Sequence, residues 1–156
     1  MRLRFLWIGK TRDPLLVKVE EKYLKRIEQH LPVQTTLVPD FKKTDPRQES
    51  AQSEREAQHI EKTLSPKAYL AVLDSLGEEL TSPGLASSLA ELMNRGVPEV
   101  TFLVGSHAGI PQRIKDRADL KLSLTKLTLP HELARVVLLE QIYRAVTIIK
   151  GLPYHK

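Results

Sequence analysis

Three short, almost continuous apolar runs constrain the fold of this chain more than any other feature. They are "RLRFLWIG" (2–9), "AYLAVLD" (68–74) and "VTFLVG" (100–105), and each ends at a glycine or an aspartate. Apolar runs of this length are typical of strands that are buried on both faces, and such strands occur in parallel sheets. We therefore predict three buried strands of a mainly parallel sheet, with "VQTTLV" (33–38) and "LKLSL" (120–124) as further strands.

Helical patterns separate the first strands. Asp13 and Pro14 form an N-cap and first-turn pair, which predicts the start of a helix. The apolar residues of this helix recur at helical spacing, and they are Leu16, Val19, Tyr23, Leu24 and Ile27. The polar, proline-containing segment 40–50 predicts a surface loop, and "QESAQSEREAQHIEKTL" predicts a polar amphipathic helix after it.

The alternation continues through the second half of the chain. "LGEEL" (76–80) predicts a turn, and a Ser-Pro pair at 82–83 predicts a helix that ends at Gly96. The last helix is predicted over 130–150, between a proline and a glycine. Strands that alternate with helices predict one α/β domain over residues 1–156, with a mainly parallel sheet covered by helices on both faces.

The basic excess of the chain is confined to its last third. Residues 110–156 hold nine lysines and arginines against four acidic residues, which accounts for the whole net charge of +5. Such an excess is consistent with a surface that faces a polyanion, and equally with an ordinary solvated basic face. The chain has no cysteine, no apolar run as long as a membrane span and no signal-peptide pattern, so we expect a cytoplasmic protein without membrane contact.

Three predicted loops, 74–81, 105–109 and 125–130, follow the carboxyl ends of strands, where open α/β sheets bind ligands. In "VGSHAG", Gly105 and Gly109 allow either a close approach of backbone N–H groups to a ligand or simply a tight turn. The loop is neither a dinucleotide fingerprint nor a P-loop, because G-x-G-x-x-G is absent and no Gly-Lys-Ser/Thr follows.

Two kinds of polar residue fall in these loops without defining a site. Asp74 could bind a ribose hydroxyl, or it could form a cap or turn after its strand. His107, His131 and His155 lie in different loops, and no histidine pair has the i, i+4 spacing of a metal site. We therefore expect no metal.

The last helix is apolar on every side from Leu133 to Ile149, which favours a helix that lies between the core and a second subunit. Arg135 and Arg144 fall within this stretch, and a buried arginine is costly unless it is paired. Two explanations stay open: an ion pair across a subunit interface, for example with Glu140, or a ligand for phosphate or substrate at the dimer seam.

The chain ends in "KGLPYHK", and the block that contains it, "LTLPHELARVVLLEQIYRAVTIIKGLPYHK", resembles the C-terminal signature of the RlmH family. The resemblance also covers "LWIGK", "LAVLDSLGEELTSPGLA" and "VTFLVGSHAG", and so extends over essentially the whole chain. RlmH proteins are SPOUT-class methyltransferases that modify a pseudouridine at N3 in the 23S RNA of the large ribosomal subunit. The resemblance implies the same activity here, with S-adenosyl-L-methionine as the methyl donor.

The resemblance also implies a knotted fold, a homodimer and a ribosomal substrate. The C-terminal segment would thread a loop of the sheet and form a deep trefoil knot. The protein would be a homodimer with its site at the subunit interface, and its substrate would be the assembled ribosome rather than naked RNA. We expect no appended RNA-binding domain, so the basic last third would face the phosphates.

By position, the cofactor contacts of the family fall on the three loops identified above. They are Leu73, Gly105, Leu124, Thr125, Lys126, Leu127, Thr128 and Leu129. The target N3 must lose a proton, so a general base or a stabiliser of the developing anion is expected.

The family resemblance also supplies candidates for that chemistry. His155 is the first candidate for the base, with Tyr154 positioning the target or stacking on it. His131 and Arg135 are candidates for binding phosphate or stabilising the carbonyl oxygens of the target, and Arg144 is a further candidate of the same kind. Solvent is the alternative proton acceptor.

One residue departs from the family pattern. RlmH proteins commonly have a Gly-Gly pair in the glycine turn, whereas this chain has Gly105-Ser106. If the second position has a positive φ, serine costs about 1 kcal/mol of strain, and we expect weaker or rearranged cofactor binding. Two other functions stay open: a non-catalytic ribosome- or RNA-binding protein with the same fold, and a SPOUT methyltransferase with a different RNA target.

Overall fold

The computed structural model describes residues 1–41 and 49–154. Within these ranges five strands form one parallel sheet: β1 (Arg2–Ile8), β2 (Val33–Val38), β3 (Ala68–Glu79), β4 (Glu99–Val104) and β5 (Leu120–Ser123). Their order across the sheet is β2-β1-β4-β3-β5. The predicted parallel sheet is confirmed, and its central strand β4 is buried at every residue.

Helices precede or follow each strand, as the alternation predicted. They are α1 (Pro14–Glu28), α2 (Glu49–Thr63), α3 (Ser82–Asn94), α4 (Gln112–Arg117) and α5 (His131–Ile149). The predicted N-cap of α1 is confirmed, because the Asp13 carboxylate accepts a hydrogen bond from the Leu15 N–H at 2.8 Å. The helix α4 was not predicted, since six residues are too few to show an apolar repeat.

Alternate side chains of β1 enter two separate cores. Leu3, Phe5 and Trp7 belong to a core that includes residues of α1, α3 and α5, whereas Leu6 and Ile8 belong to a core that includes residues of α2 and α4. All five side chains are at most 2% exposed. The sheet is therefore covered by helices on both faces, which explains why its strands are almost continuously apolar.

Strand β3 differs from its prediction. It continues to Glu79, whereas we expected "LGEEL" to form a turn, and its register against β5 shifts between Leu73 and Glu78. Gly77 permits this bent pairing, because a Cβ at that position would lie 2.4 Å from the carbonyl oxygen of Lys121. The predicted turn was wrong, since the glycine allows two strands to approach each other instead.

Two further expectations bear on regions away from the sheet. The surface loop predicted over 40–50 falls mostly on residues 42–48, which lie outside the described residues. Within the ranges that the structure describes, no helix has the length and apolar character needed to cross a membrane.

Candidate active site

A cleft lies over the carboxyl ends of β3, β4 and β5, and we call it the β3–β5 cleft. Its volume is about 350 Å³. The three loops predicted to bind the cofactor form its walls, and the predicted residues that line it are Leu73, Gly105, Leu124, Thr125, Leu127, Thr128 and Leu129. Lys126 does not line the cleft and has an exposed side chain. The sequence thus identified the loops after β4 and β5 at this cleft, whereas the predicted loop 74–81 belongs to β3 as far as Glu79.

The glycine turn at the end of β4 is tightly closed. A Cβ at Gly105 would lie 2.6 Å from the carbonyl oxygen of Gly109, and the Gly109 N–H donates to the carbonyl oxygen of Ser106 at 2.9 Å. Gly109 has a φ of +82°, whereas Ser106 has no positive φ. The condition for strain at Ser106 is therefore not met, which removes the reason to expect weaker cofactor binding.

Asp74 has a local structural role at the edge of the β3–β5 cleft. Its Oδ1 accepts a hydrogen bond from the Leu76 N–H at 3.1 Å, and its Oδ2 lies 3.0 Å from Lys115 Nζ. Burial alone would raise the pKa of Asp74, but the Leu76 hydrogen bond and the Lys115 charge outweigh it and lower this pKa. Asp74 thus stabilises the bend of β3 locally, and its contact with a ribose hydroxyl stays a prediction.

His131 begins α5 at the rim of the β3–β5 cleft. Burial, followed by the neighbouring Arg135 charge, lowers the pKa of His131 from its usual 6.5. A lowered pKa leaves the imidazole neutral at pH 7, where it can accept a proton or a hydrogen bond.

Arg135 connects α5 to the loop after β1. Its side chain is fully buried, donates to the carbonyl oxygen of Ile8 at 2.7 Å and donates to Thr11 Oγ1 at 2.9 Å. The Thr11 hydroxyl in turn donates to Glu20 at 2.6 Å. Arg135 lines neither cleft near the site, so its position indicates a role in holding the β1–α1 loop.

Glu132 fixes the same loop from the surface. Its two carboxylate oxygens accept hydrogen bonds from the backbone N–H groups of Arg12 at 3.0 Å and Asp13 at 3.2 Å. Burial opposes ionisation, but these two hydrogen bonds outweigh it and lower the pKa of Glu132. The first turn of α5 is therefore tied to the β1–α1 loop at two places.

A second cleft lies over the carboxyl ends of β1 and β2, and we call it the β1–β2 cleft. Its volume is about 1110 Å³. Residues of the β1–α1 loop and the end of β2 line it, and His107 and His131 line both clefts. Sequence reasoning missed this cleft, although Gly9 directly after a buried strand was a signal that could have identified it.

Arg144 and Tyr154 line neither of the two clefts. Arg144 pairs with Glu140 of the same chain at 2.6 Å, and its guanidinium lies 5.0 Å from the centroid of the Tyr154 ring. The Tyr154 hydroxyl donates to Glu140 Oε1 at 3.2 Å. Glu140 lies nine residues after His131, or roughly 13 Å along the helix axis. His155 lies outside the described residues.

Comparisons with known proteins agree with this architecture. A family model described as "Predicted SPOUT methyltransferase" matches residues 1–155. The chain is 37% identical over 155 residues to the Ribosomal RNA large subunit methyltransferase H of Geobacter metallireducens, with 99% of each chain covered. This chain belongs to the RlmH family of SPOUT methyltransferases. A Methanococcus maripaludis relative named putative Ribosomal RNA large subunit methyltransferase H is 36% identical and is matched over the full length of both chains.

A solved structure shares the RlmH-family fold of this chain. The crystal structure of tRNA (m1G37) methyltransferase from Aquifex aeolicus matches 99% of this chain and 73% of its own, with a TM-score of 0.57 and 16% sequence identity. At this identity the likeness concerns the fold alone. The trefoil knot stays a prediction.

Proposed function

We propose that this chain is an S-adenosyl-L-methionine-dependent methyltransferase that modifies N3 of a pseudouridine in 23S ribosomal RNA, acting on the assembled ribosome in the cytoplasm. The observation that carries the proposal is full-length similarity, at 37% identity, to a protein named for methyl transfer to large-subunit ribosomal RNA. The β3–β5 cleft supports it, because the loops that the family uses for its cofactor surround that cleft.

The β3–β5 cleft fits S-adenosyl-L-methionine in size and in the chemistry of its walls. A volume of about 350 Å³ lies within the range of small-molecule sites. Leu73, Leu122 and Leu129 contribute apolar walls, whereas Ser106, Thr125 and Thr128 contribute polar residues to the lining. When bound, the cofactor supplies an electrophilic methyl group on its sulfonium. The chain's own residues then hold and align the reactants, which is the main source of acceleration for such a displacement.

The target nitrogen must lose its proton as the methyl group is transferred. His155 stays our first candidate for the proton acceptor, with Tyr154 beside it in sequence. His131 is a second candidate, supported by its place at the rim of both clefts and by the lowered pKa that keeps its imidazole neutral. Arg135 is better suited to positioning the β1–α1 loop than to contacting substrate, because it is fully buried.

A homodimer is part of the proposal. The outer face of α5 carries Leu133, which is 37% exposed, and the half-buried Val136 and Val137. An apolar helix face of this kind is suited to a subunit interface. Arg144 lies far along α5 from His131, and Tyr154 packs against Arg144, so we propose that both serve the site of the second subunit.

Two measurements test the proposal. Isothermal titration calorimetry with S-adenosyl-L-methionine should show binding, and its absence at millimolar ligand would favour a non-catalytic RNA-binding protein. Mass mapping of 23S RNA from a strain that lacks the gene should show a pseudouridine without its methyl group. A retained methyl group would refute the substrate assignment and favour a different RNA target.

A further inference from the structure

Among the described residues, no hydrogen bond is made to the Asp40 carboxylate, which lies in the β1–β2 cleft. Asp40 lines this cleft, and 21% of its side chain is exposed. Its Oδ1 is buried and has no hydrogen-bond partner, and its Oδ2 lies 3.8 Å from His107 Nδ1, beyond hydrogen-bond distance. Carboxylate oxygens accept hydrogen bonds, so among the described residues the exposed part of this side chain retains its capacity for an N–H donor that enters the cleft.

The backbone holds Asp40 against the end of β1. Gly9 has a φ of +76°, and a Cβ at that position would lie 3.3 Å from the Cβ of Asp40. A side chain at position 9 would therefore be strained and would crowd Asp40. The glycine that ends the first apolar strand thus allows the carboxylate to lie at the wall of the cleft.

The surroundings of Asp40 have the chemistry of a nucleotide site. Lys10 and Arg12 line the same cleft with exposed side chains, and cations of this kind bind phosphate. His107 and His131 line both clefts, so the β1–β2 cleft adjoins the proposed cofactor site. The β1–β2 cleft thus combines an acceptor for N–H groups, cations for a phosphate and access to the methyl donor.

We propose that the β1–β2 cleft holds the target nucleotide and that the Asp40 carboxylate accepts the N1–H of pseudouridine, which makes Asp40 a determinant of selectivity for pseudouridine over uridine. This inference rests on the proposed function. Pseudouridine is joined to its sugar through C5, so its N1–H is free to donate. In uridine N1 carries the sugar, and the corresponding edge presents a C5–H that gives a carboxylate no hydrogen bond.

The same contact orients the base for methyl transfer. N1 and N3 flank the C2 carbonyl of the ring. When the N1–H of the base donates to Asp40, N3 is therefore on the neighbouring edge of the ring. This edge faces His107 and His131, which line both clefts. Selectivity and alignment would thus come from one hydrogen bond.

The test compares two ribosome substrates that differ at one base. Ribosomes from a strain that lacks this gene carry the unmethylated pseudouridine, and ribosomes from a strain that also lacks the corresponding pseudouridine synthase carry uridine. Transfer of a tritiated methyl group is measured on both with wild-type protein and with Asp40→Ala and Asp40→Leu, which remove the acceptor. Asp116→Ala is the matched control, because Asp116 is an exposed aspartate that lines neither cleft.

We expect wild-type protein and Asp116→Ala to prefer pseudouridine, and both Asp40 variants to lose this preference by roughly 10-fold or more, the range of one hydrogen bond to a carboxylate. Loss of structure alone would lower the rates on both substrates equally. An unchanged preference in a folded Asp40 variant, or equal wild-type rates on the two substrates, would overturn the inference and leave the proposed function standing. If wild-type protein methylates neither substrate, the proposed function fails, and the inference fails with it.

Discussion

Ser106 occupies the turn after β4 without backbone strain, because Gly109 takes the left-handed conformation instead. The Ser106 hydroxyl accepts a hydrogen bond from the Ala108 N–H at 3.2 Å. We therefore expect Ser106→Gly to leave the Kd for S-adenosyl-L-methionine within about 2-fold of wild type, measured by titration calorimetry, since no strain is relieved. Gly109→Ser is the control and should destabilise the turn by about 1–2 kcal/mol. Tenfold tighter binding by Ser106→Gly would contradict this interpretation.

Glu132 should make the stability of the protein depend on pH. Its pKa is lowered in the folded state, so its contribution is present above its usual value of 4.5 and is lost as the pH falls through the folded value. We expect Glu132→Gln to lower the free energy of unfolding by about 1–2 kcal/mol at pH 7, because two backbone N–H groups lose a charged acceptor. Urea titrations from pH 7 down to pH 3 should show the two proteins converge.

The control for this prediction is Glu21→Gln, since Glu21 is exposed on α1. Its effect should stay within about 0.5 kcal/mol at every pH. A difference between wild type and Glu132→Gln that persists unchanged at pH 3 would mean that the ionised carboxylate does not hold the β1–α1 loop.

At the scale of elements, the close approach of β3 and β5 determines the shape of the β3–β5 cleft. A Cβ at Gly77 would lie 2.4 Å from a backbone oxygen of β5, which cannot move away as a flexible side chain could. We expect Gly77→Ala to destabilise the fold by about 2 kcal/mol or more and to weaken S-adenosyl-L-methionine binding, because the strands must separate beneath the loop 124–129. Thermal unfolding and calorimetry measure the two effects.

Gly84→Ala is the matched control for Gly77→Ala. Gly84 lies in the first turn of α3, and the nearest atom to an added Cβ would be Thr81 Oγ1 at 3.2 Å. The helix propensity of alanine offsets this contact, so the change in unfolding free energy should stay within about 1 kcal/mol. Equal effects of the two substitutions would show that the strand crossing has no special sensitivity.

The elements that the sequence predicted are those whose evidence is local. The apolar runs of β1 and β4 and the Asp13 cap each depend on neighbouring residues, and their outcomes agree with the structure. The approach of Gly77 to Lys121 and the placement of Asp40 over Gly9 join residues that are distant in the chain. No periodicity records such contacts, so the bend of β3 and the β1–β2 cleft became visible only in three dimensions.

Within one chain, Tyr154 lies against the second half of α5 and does not line the β3–β5 cleft. It contacts Glu140, Tyr143 and Arg144 on α5. Burial, then the hydrogen bond with Tyr23 and the Glu140 charge, raises the pKa of Tyr154, so its hydroxyl stays protonated and can donate at neutral pH. This cluster lies roughly 13 Å along α5 from His131 at the cleft rim. A catalytic tail would therefore serve the cleft of the second subunit.

Complementation between two inactive chains tests this arrangement. One chain ends after Pro153, and the other carries Gly105→Ala, whose Cβ would lie 2.6 Å from the carbonyl oxygen of Gly109 and should close the cofactor turn. Each homodimer should lack methyl transfer, while the truncated one should still dimerise and bind S-adenosyl-L-methionine. A mixed dimer, purified through two different tags, combines the intact cleft of the first chain with the intact tail of the second. If the tail acts across the interface, this dimer should recover about half of the wild-type rate, because one of its two sites is complete.

A mixed dimer of wild type and Gly105→Ala is the control, because it shows the rate of a dimer with one working site. An inactive mixed dimer would assign the tail to its own subunit, and an active truncated homodimer would remove it from catalysis.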